Sequence, residues 1–282
     1  MIRTDLVSEQ REMHTRNISG AISSRETIGD VTLEKVQITN ISASKELSKP
    51  IGTYITIQFG NLAILSDLTE IKNAIIKALS ELLPKKRESV LIVGLGNDDI
   101  TPDAIGPLTA DLILATRHIG SQLANDLGLG GLKSVSAIIP GVLGKTGIEA
   151  LEIIKGTVER TKPSAVIVVD ALAARRTERL CRTVQLCDSG ISPGSGVQNA
   201  RKEISEKVLG VPVLAVGIPT VVDVASLIVD FTGQNTPQTM ESMMVTPKDI
   251  DLLVRRSAEL LSDSLNLFLQ PSLDEKTLHT LV

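Results

Sequence analysis

The residues best placed to do chemistry are aspartates that follow buried apolar runs. Val90 to Pro107 reads VLIVGLGNDDITPDAIGP. Val90–Val93 has the continuous apolar character of a strand covered on both faces. Gly94 and Gly96 then let the chain turn sharply without steric cost. Asp98, Asp99 and Asp103 come next. Thr101 suits a helix cap and Pro102 a first helical position, and Ile105, Leu108, Leu112 and Ile113 have helical spacing. This predicts a helix over 103–119 with Asp103 in its first turn. The second stretch, Ala165–Val169, is another buried-strand run, and it is expected to end at Asp170. Parallel neighbouring strands would carry Asp103 and Asp170 to the carboxyl edge of the sheet, where open α/β folds hold their sites. Two carboxylates meeting there can share a proton and activate a water. One such Asp is more often a cap or a loop acid; two, each after a buried strand, point to a pair.

Other motifs carry less. GLGND is a partial dinucleotide fingerprint, but Asp99 stands where the third glycine belongs, and Asp98 and Asp99 would repel a phosphate. Gly190-Ile-Ser-Pro-Gly194 fits G-x-S-x-G, yet Pro193 has no N–H to offer an oxyanion hole. Ser195, between two glycines, reads as a turn residue. His14, His118 and His279 are far apart in sequence. His118, at the end of the helix expected over 103–119, would stand about 22 Å from Asp103. No histidine-rich metal site is expected, whereas a hard cation held by Asp103 and Asp170 alone stays open, because such ions accept oxygen ligands only. Arg175, Arg176, Arg182, Arg201 and Lys202 read first as a solvated basic face.

The longer motifs resemble a known family. TPDAIGP at 101–107, IPGVLGKTGIE at 139–149, VVDALAAR at 168–175, SPGSGVQNARKE at 192–203 and VGIPTVVD at 216–223 are similar to stretches of the spore germination proteases. MMVTPKDID at 243–251 and RTDL at 3–6 fit as well, so the likeness runs in order over nearly the whole chain. It implies an endopeptidase, atypical aspartic in type, that starts the degradation of small acid-soluble spore proteins during germination. The family's proposed aspartate pair falls on Asp103 and Asp170. Ser192 departs from the pattern, since some relatives carry His before PGSG, and this argues against an essential side chain there. The resemblance further implies a tetramer, a cytoplasmic place in the forespore or spore core, and a zymogen that removes its own N-terminal segment. Residues 1–8 hold the expected propeptide, with a self-cut expected in or just after Arg3–Glu9, for instance between Asp5 and Leu6. An acidic residue beside the cut bond of the substrate would be met by Arg175, or more weakly by Lys145. The hydrogenase maturation proteases, structural cousins of the family, share a GxGN…D start and use that place for metal. The alternatives are therefore a metal-dependent processing protease of that kind, or a non-catalytic binding protein on the same fold.

Alternating strands and helices predict a three-layer α/β/α fold with a mostly parallel sheet, related in type to the hydrogenase maturation proteases, in one domain over 1–282. Residues 1–30 are polar and expected to be loosely held. Val31 to Ile41 reads as a strand whose alternation slips at Lys35, which predicts a bulge. Tyr54–Phe59 is a second strand, and helices are expected from Asp67, Thr146, Val221 and Pro247. Residues 232–246 read as an irregular insertion. With 29 basic and 33 acidic residues the formal charge is −4, which gives no general attraction to nucleic acid or membrane. One Tyr, three Phe and no Trp leave little for stacking on bases. Cys181 and Cys187, six apart in an expected strand, would be about 20 Å apart, too far for a disulfide, and free thiols suit a cytoplasmic protein. No signal peptide, membrane span or cofactor is expected.

Overall fold

The computed structural model describes residues 4–14, 16–85, 88–119, 122, 126, 130–193, 202–233 and 243–281. Nine strands join one sheet: β1 (Ala21–Ile28), β2 (Val31–Ile38), β3 (Gly52–Gln58), β4 (Ser89–Gly94), β5 (Ser134–Ile138), β6 (Ala165–Ala174), β7 (Thr183–Cys187), β8 (Val213–Asp223) and β9 (Met244–Val245). Their order is β1-β2-β3-β7-β8-β6-β4-β5, with β9 paired to β8. The strands β8, β6, β4 and β5 run parallel, as their apolar runs predict. On the other side of β8 the sheet continues as an antiparallel wing.

The class is α/β, with helices on both faces. On one face α3 (Thr69–Leu82), α4 (Ile105–Asp111) and α9 (Ile250–Leu269) cover the largest apolar cluster, which includes Ile92, Ile167 and Leu186. On the other, α6 (Ala150–Thr161) and the short α7 (Glu206–Leu209) cover Leu91, Val166 and Val168. Beside them α1 (Val7–Glu12) and α2 (Ile41–Leu47) cover the wing. The remaining helices are α5 (Leu143–Thr146), α8 (Val224–Thr232) and α10 (Glu275–Leu281). No helix among the described residues is long and apolar enough to cross a membrane.

Several local expectations give way to packing. The N-terminus is not loose, because Leu6, Val7, Ser8 and Glu9 are buried and Ala21–Ile28 forms the sheet's edge strand. β2 has no bulge, since its register with β1 and β3 is unbroken. Its alternation slips because Val31 and Leu33 face one apolar cluster while Val36 and Ile38 face another on the opposite side. The helix expected over 103–119 ends at Asp111, where Asn266 of α9 takes over its last groups. The Asn266 amide donates to the Leu112 carbonyl at 2.9 Å and accepts from the Leu114 N–H at 3.0 Å. The helix expected from Thr146 starts at Ala150, and the one expected from Val221 starts at Val224, because β8 extends through Pro219 to Asp223. In the expected insertion at 232–246, Met244–Val245 pairs with Val222 and Asp223; 234–242 lie outside the described residues.

Candidate active site

The site begins with a row across the sheet. Asp170 lies inside β6 rather than at its end, and it pairs with Gly217 of β8, which in turn pairs with Gln185 of β7. Directly opposed residues put their side chains on one face of a sheet. Asp170 and Gln185 therefore rise on the same side, about 10 Å apart at two strand spacings, with only a glycine between them. Asp170 is 6% exposed, and its Oδ1 accepts from the Ala171 N–H at 2.9 Å.

Asp103 arrives from a different element. It closes a 3₁₀ turn, Thr101–Asp103, held by its own N–H to the Ile100 carbonyl at 2.7 Å. The Asn97 N–H donates to the Asp103 carboxylate at 2.9 Å and approaches its main-chain oxygen at 3.2 Å, so the backbone aims the carboxyl group. Two glycines permit this approach. Gly96 has φ +122°, and a Cβ there would stand 1.9 Å from the Asp103 carbonyl oxygen. A Cβ on Gly106 would stand 2.1 Å from the Leu95 oxygen and 2.5 Å from the Val169 oxygen. Gly96 and Gly106 thus seat the Asp103 turn and α4 directly on the end of β4 and the middle of β6, a role other than cradling a phosphate.

Asp103 and Asp170 line one cavity of about 550 Å³, together with Asp5, Glu149, Gln185 and Cys187. Small residues, Ala215 and Gly217, keep its floor open. Burial pushes the Cys187 thiol and the Tyr54 hydroxyl of the cavity wall above their ordinary pKa values, so both are neutral there. The Tyr54 hydroxyl donates to the Pro50 carbonyl at 2.8 Å and accepts from Ser189 at 2.9 Å.

The N-terminal segment enters this cavity. Asp5 pairs with β6 beyond the residues that β4 covers: its N–H donates to the Ala173 carbonyl at 2.8 Å, and its Oδ2 accepts from the Ala173 N–H at 2.9 Å. Leu6 is fully buried among Leu172, Ala174, Leu180 and Val222. Glu9, also buried, accepts from the Arg175 and Arg176 N–H groups at 2.7 and 3.0 Å and from the Thr4 hydroxyl. Gln185 holds the same segment from the sheet.

The structure brings together Asp103 and Asp170 but does not place Arg175 or Lys145 among the cavity's lining residues. Arg175 is half-buried beside Glu9. Lys145 is exposed, and its ammonium bridges Asp98 at 2.7 Å and Asp99 at 2.6 Å. That contact holds the Asp98 carboxyl below its ordinary pKa and raises that of the lysine. Lys202, read as a solvated basic residue, lines the cavity and also approaches Glu152 at 3.8 Å. Ser192 and Pro193 line the cavity, while 194–201, with Ser195 and Arg201, lie outside the described residues. His118 sits in an exposed turn rather than at a helix end. Cys181 and Cys187 are both free and buried, and Cys181 precedes the strand rather than joining it.

Among the described residues, one group has three potential metal-ligating side chains within 4.8 Å of one another: Asp263, Glu275 and His279, far along the chain from the aspartates. The Lys72 ammonium already pairs with its two carboxylates. Gln185 is a cavity residue that sequence reasoning passed over, whereas Asp5 entered it as one side of the expected self-cut. The signal for Gln185 was a long polar side chain in a strand otherwise buried, which a folded chain accepts only when it is hydrogen-bonded.

Residues 2–234 match the family model described as germination protease. The chain belongs to the germination protease family. It is 40% identical to the germination protease of Caldanaerobacter subterraneus subsp. tengcongensis, over all of this chain and 98% of that relative. It is 37% identical to that of Clostridium perfringens (strain SM101) over 96% of each chain, and 42% identical to that of Bacillus mycoides over 81% of this chain and 65% of that one. Membership makes the protein a protease, a hydrolase acting on protein, and ties it to germination. Among solved structures, a [NiFe] hydrogenase maturation protease, HycI from Thermococcus kodakarensis, is similar at 19% identity with a TM-score of 0.37, over 67% of this chain and 98% of that one.

Proposed function

We infer that this germination protease is an endopeptidase that cuts small acid-soluble spore proteins, with Asp103 and Asp170 activating the water. The observation that carries the reading is that one cavity holds both carboxylates, delivered by separate elements, and also receives a peptide segment. One carboxylate takes a proton from the water as its oxygen attacks the peptide carbonyl, and the resulting acid returns a proton to the leaving amine. The whole chain is one peptidase domain in this reading. Acidic groups on the substrate are met by Lys145 and by Arg175 beyond Ala173.

The same reading covers activation. Asp5 lines the cavity and Leu6 fills the apolar pocket beside it, so the uncut terminus blocks a substrate and presents its own Asp5–Leu6 bond. Incubation with a small acid-soluble spore protein, followed by mass spectrometry of the products, tests the function. Discrete internal fragments from the wild type and none from Asp103→Asn, which should melt close to wild type, are expected. Equal fragments from both would remove Asp103 from the chemistry. Intact mass of the purified protein tests activation: loss of the first five residues in the wild type only supports it, and the same loss in Asp103→Asn marks a contaminating protease.

A further inference from the structure

Gln185 holds an extended main chain by both ends of its amide. Its Nε2 donates to the Asp5 carbonyl oxygen at 3.0 Å, and its Oε1 accepts from the Val7 N–H at 2.7 Å. One partner can only accept and the other only donate, so the orientation of the amide follows from the contacts. The two bonds bracket Leu6, and the carbonyl they hold is that of the Asp5–Leu6 peptide bond. Around that bond, Asp5 is fixed along β6 through Ala173, and the Leu6 side chain fills an apolar pocket. Gln185 is 7% exposed and lines the same cavity as Asp103 and Asp170. It stands across Gly217 from Asp170, so a peptide bond lying over the glycine has a carboxylate on one side and an amide donor on the other.

We propose that Gln185 is a catalytic residue of this protease, whose Nε2–H holds the carbonyl oxygen of the bond being cut while its Oε1 holds the N–H of the second residue beyond it. This rests on the reading of Asp103 and Asp170 as the hydrolytic centre. In the reaction the water oxygen bonds to the carbonyl carbon, and one water proton passes to a carboxylate. The carbonyl oxygen gains negative charge beside the Gln185 N–H. On collapse the C–N bond breaks, the new acid keeps the oxygen, and the protonated carboxyl returns its proton to the leaving amine. A fixed donor aimed at that oxygen favours the charged state over the ground state, which is the source of its effect on rate. A residue that only anchored the N-terminus would leave the chemical step untouched.

The test is the kinetics of cleavage of a small acid-soluble spore protein by full-length Gln185→Glu and Gln185→Met, beside Asp103→Asn and Asp170→Asn. Both Gln185 variants are expected to lose about 10²–10³-fold in kcat. Gln185→Glu keeps the acceptor for the substrate N–H, so its KM should stay within about threefold of wild type, the oxyanion donor having been lost alone. Its activity relative to wild type should rise as pH falls through the carboxyl range, because a protonated carboxyl regains an O–H donor. Melting curves establish which variants fold, and either folded variant decides the matter. Wild-type kcat in a folded Gln185 variant, with the aspartate variants inactive, would overturn the proposal and leave the aspartate reading standing. Activity in the aspartate variants would remove that reading itself.

Discussion

At the scale of residues, a carboxyl group acts only where something aims it. Asp103 is aimed by the Asn97 N–H, and Asp170 by the N–H of Ala171. In the turn ahead of Asp103, Asp98 and Asp99 are joined by Lys145, all three well exposed. Exposed ion pairs contribute little to stability, so Lys145→Ala should leave the melting temperature nearly unchanged and lower kcat/KM a few-fold by loosening the turn ahead of Asp103. The sign with pH follows from Asp98. Its folded pKa is depressed by the Lys145 hydrogen bond, so the link is present above the ordinary carboxylate range and is lost as pH falls through the lowered value. A pH series should show the two proteins converging on the acid side; a constant ratio throughout would dissociate the bridge from the effect. Arg175→Ala should weaken cleavage of substrates with an acid beside the cut more than of neutral ones, and an unchanged ratio would reject Arg175 as that contact. That Asp103 and Asp170 share one cavity was legible in the sequence, because each comes after a buried apolar run. Gln185 was not, because its meaning lies in two contacts with main chain 178 and 180 residues away.

At the scale of elements, close approach positions the chemistry. α4 reaches the end of β4 and the middle of β6 because Gly106 has no side chain, and Leu95 is tied to Val169 by an N–H to carbonyl bond of 2.8 Å. Gly106→Ala would push a methyl group into two carbonyl oxygens. It should cost about 1–3 kcal/mol in denaturant unfolding and nearly all activity, by carrying the Asp103 turn away from the cavity. Unfolding at the wild-type midpoint with full activity would show that the contact is relaxed elsewhere. The parallel core was readable from Val90–Val93 and Ala165–Val169. The lengths of α4, β6 and β8 were not, because tertiary partners set them: Asn266 ends α4, and mutual pairing carries β6 and β8 past the residues where local pattern would stop them. The slip in β2 shows how one local signal admits two readings. An alternation that changes phase can mean a bulge, or it can mean a strand that serves a different apolar cluster at each end, as here.

At the scale of the whole molecule, the core is aliphatic and holds two thiols and a phenol away from water. Burial raises the Cys181 thiol to about 12 and pushes Tyr54 higher still than its ordinary value. Groups with raised folded values contribute full stability below their unfolded pKa and lose it as pH rises. The melting temperature should therefore fall progressively from about pH 9 upward as unfolding releases ionisable thiols. Both cysteines should resist a thiol reagent in the native protein and react in denaturant, and rapid native reaction would contradict their burial. The polar composition of residues 1–30 concealed how firmly the N-terminus docks, since the side chains of Asp5, Glu9 and Gln185 and a few apolar ones are enough to tie it to the sheet.

If Asp103 and Asp170 together cut the peptide bond, removing the Asp170 carboxylate alone must stop the reaction, and Asp170→Asn does this with little change of shape. An asparagine matches the aspartate in shape and still accepts from the Ala171 N–H, while it cannot take a proton from water. The measurement is kcat/KM for cleavage of a small acid-soluble spore protein by Asp170→Asn and wild type at the same pH. A loss of at least about a thousandfold with an unchanged melting temperature is expected, whereas cleavage within about tenfold of wild type would contradict the account.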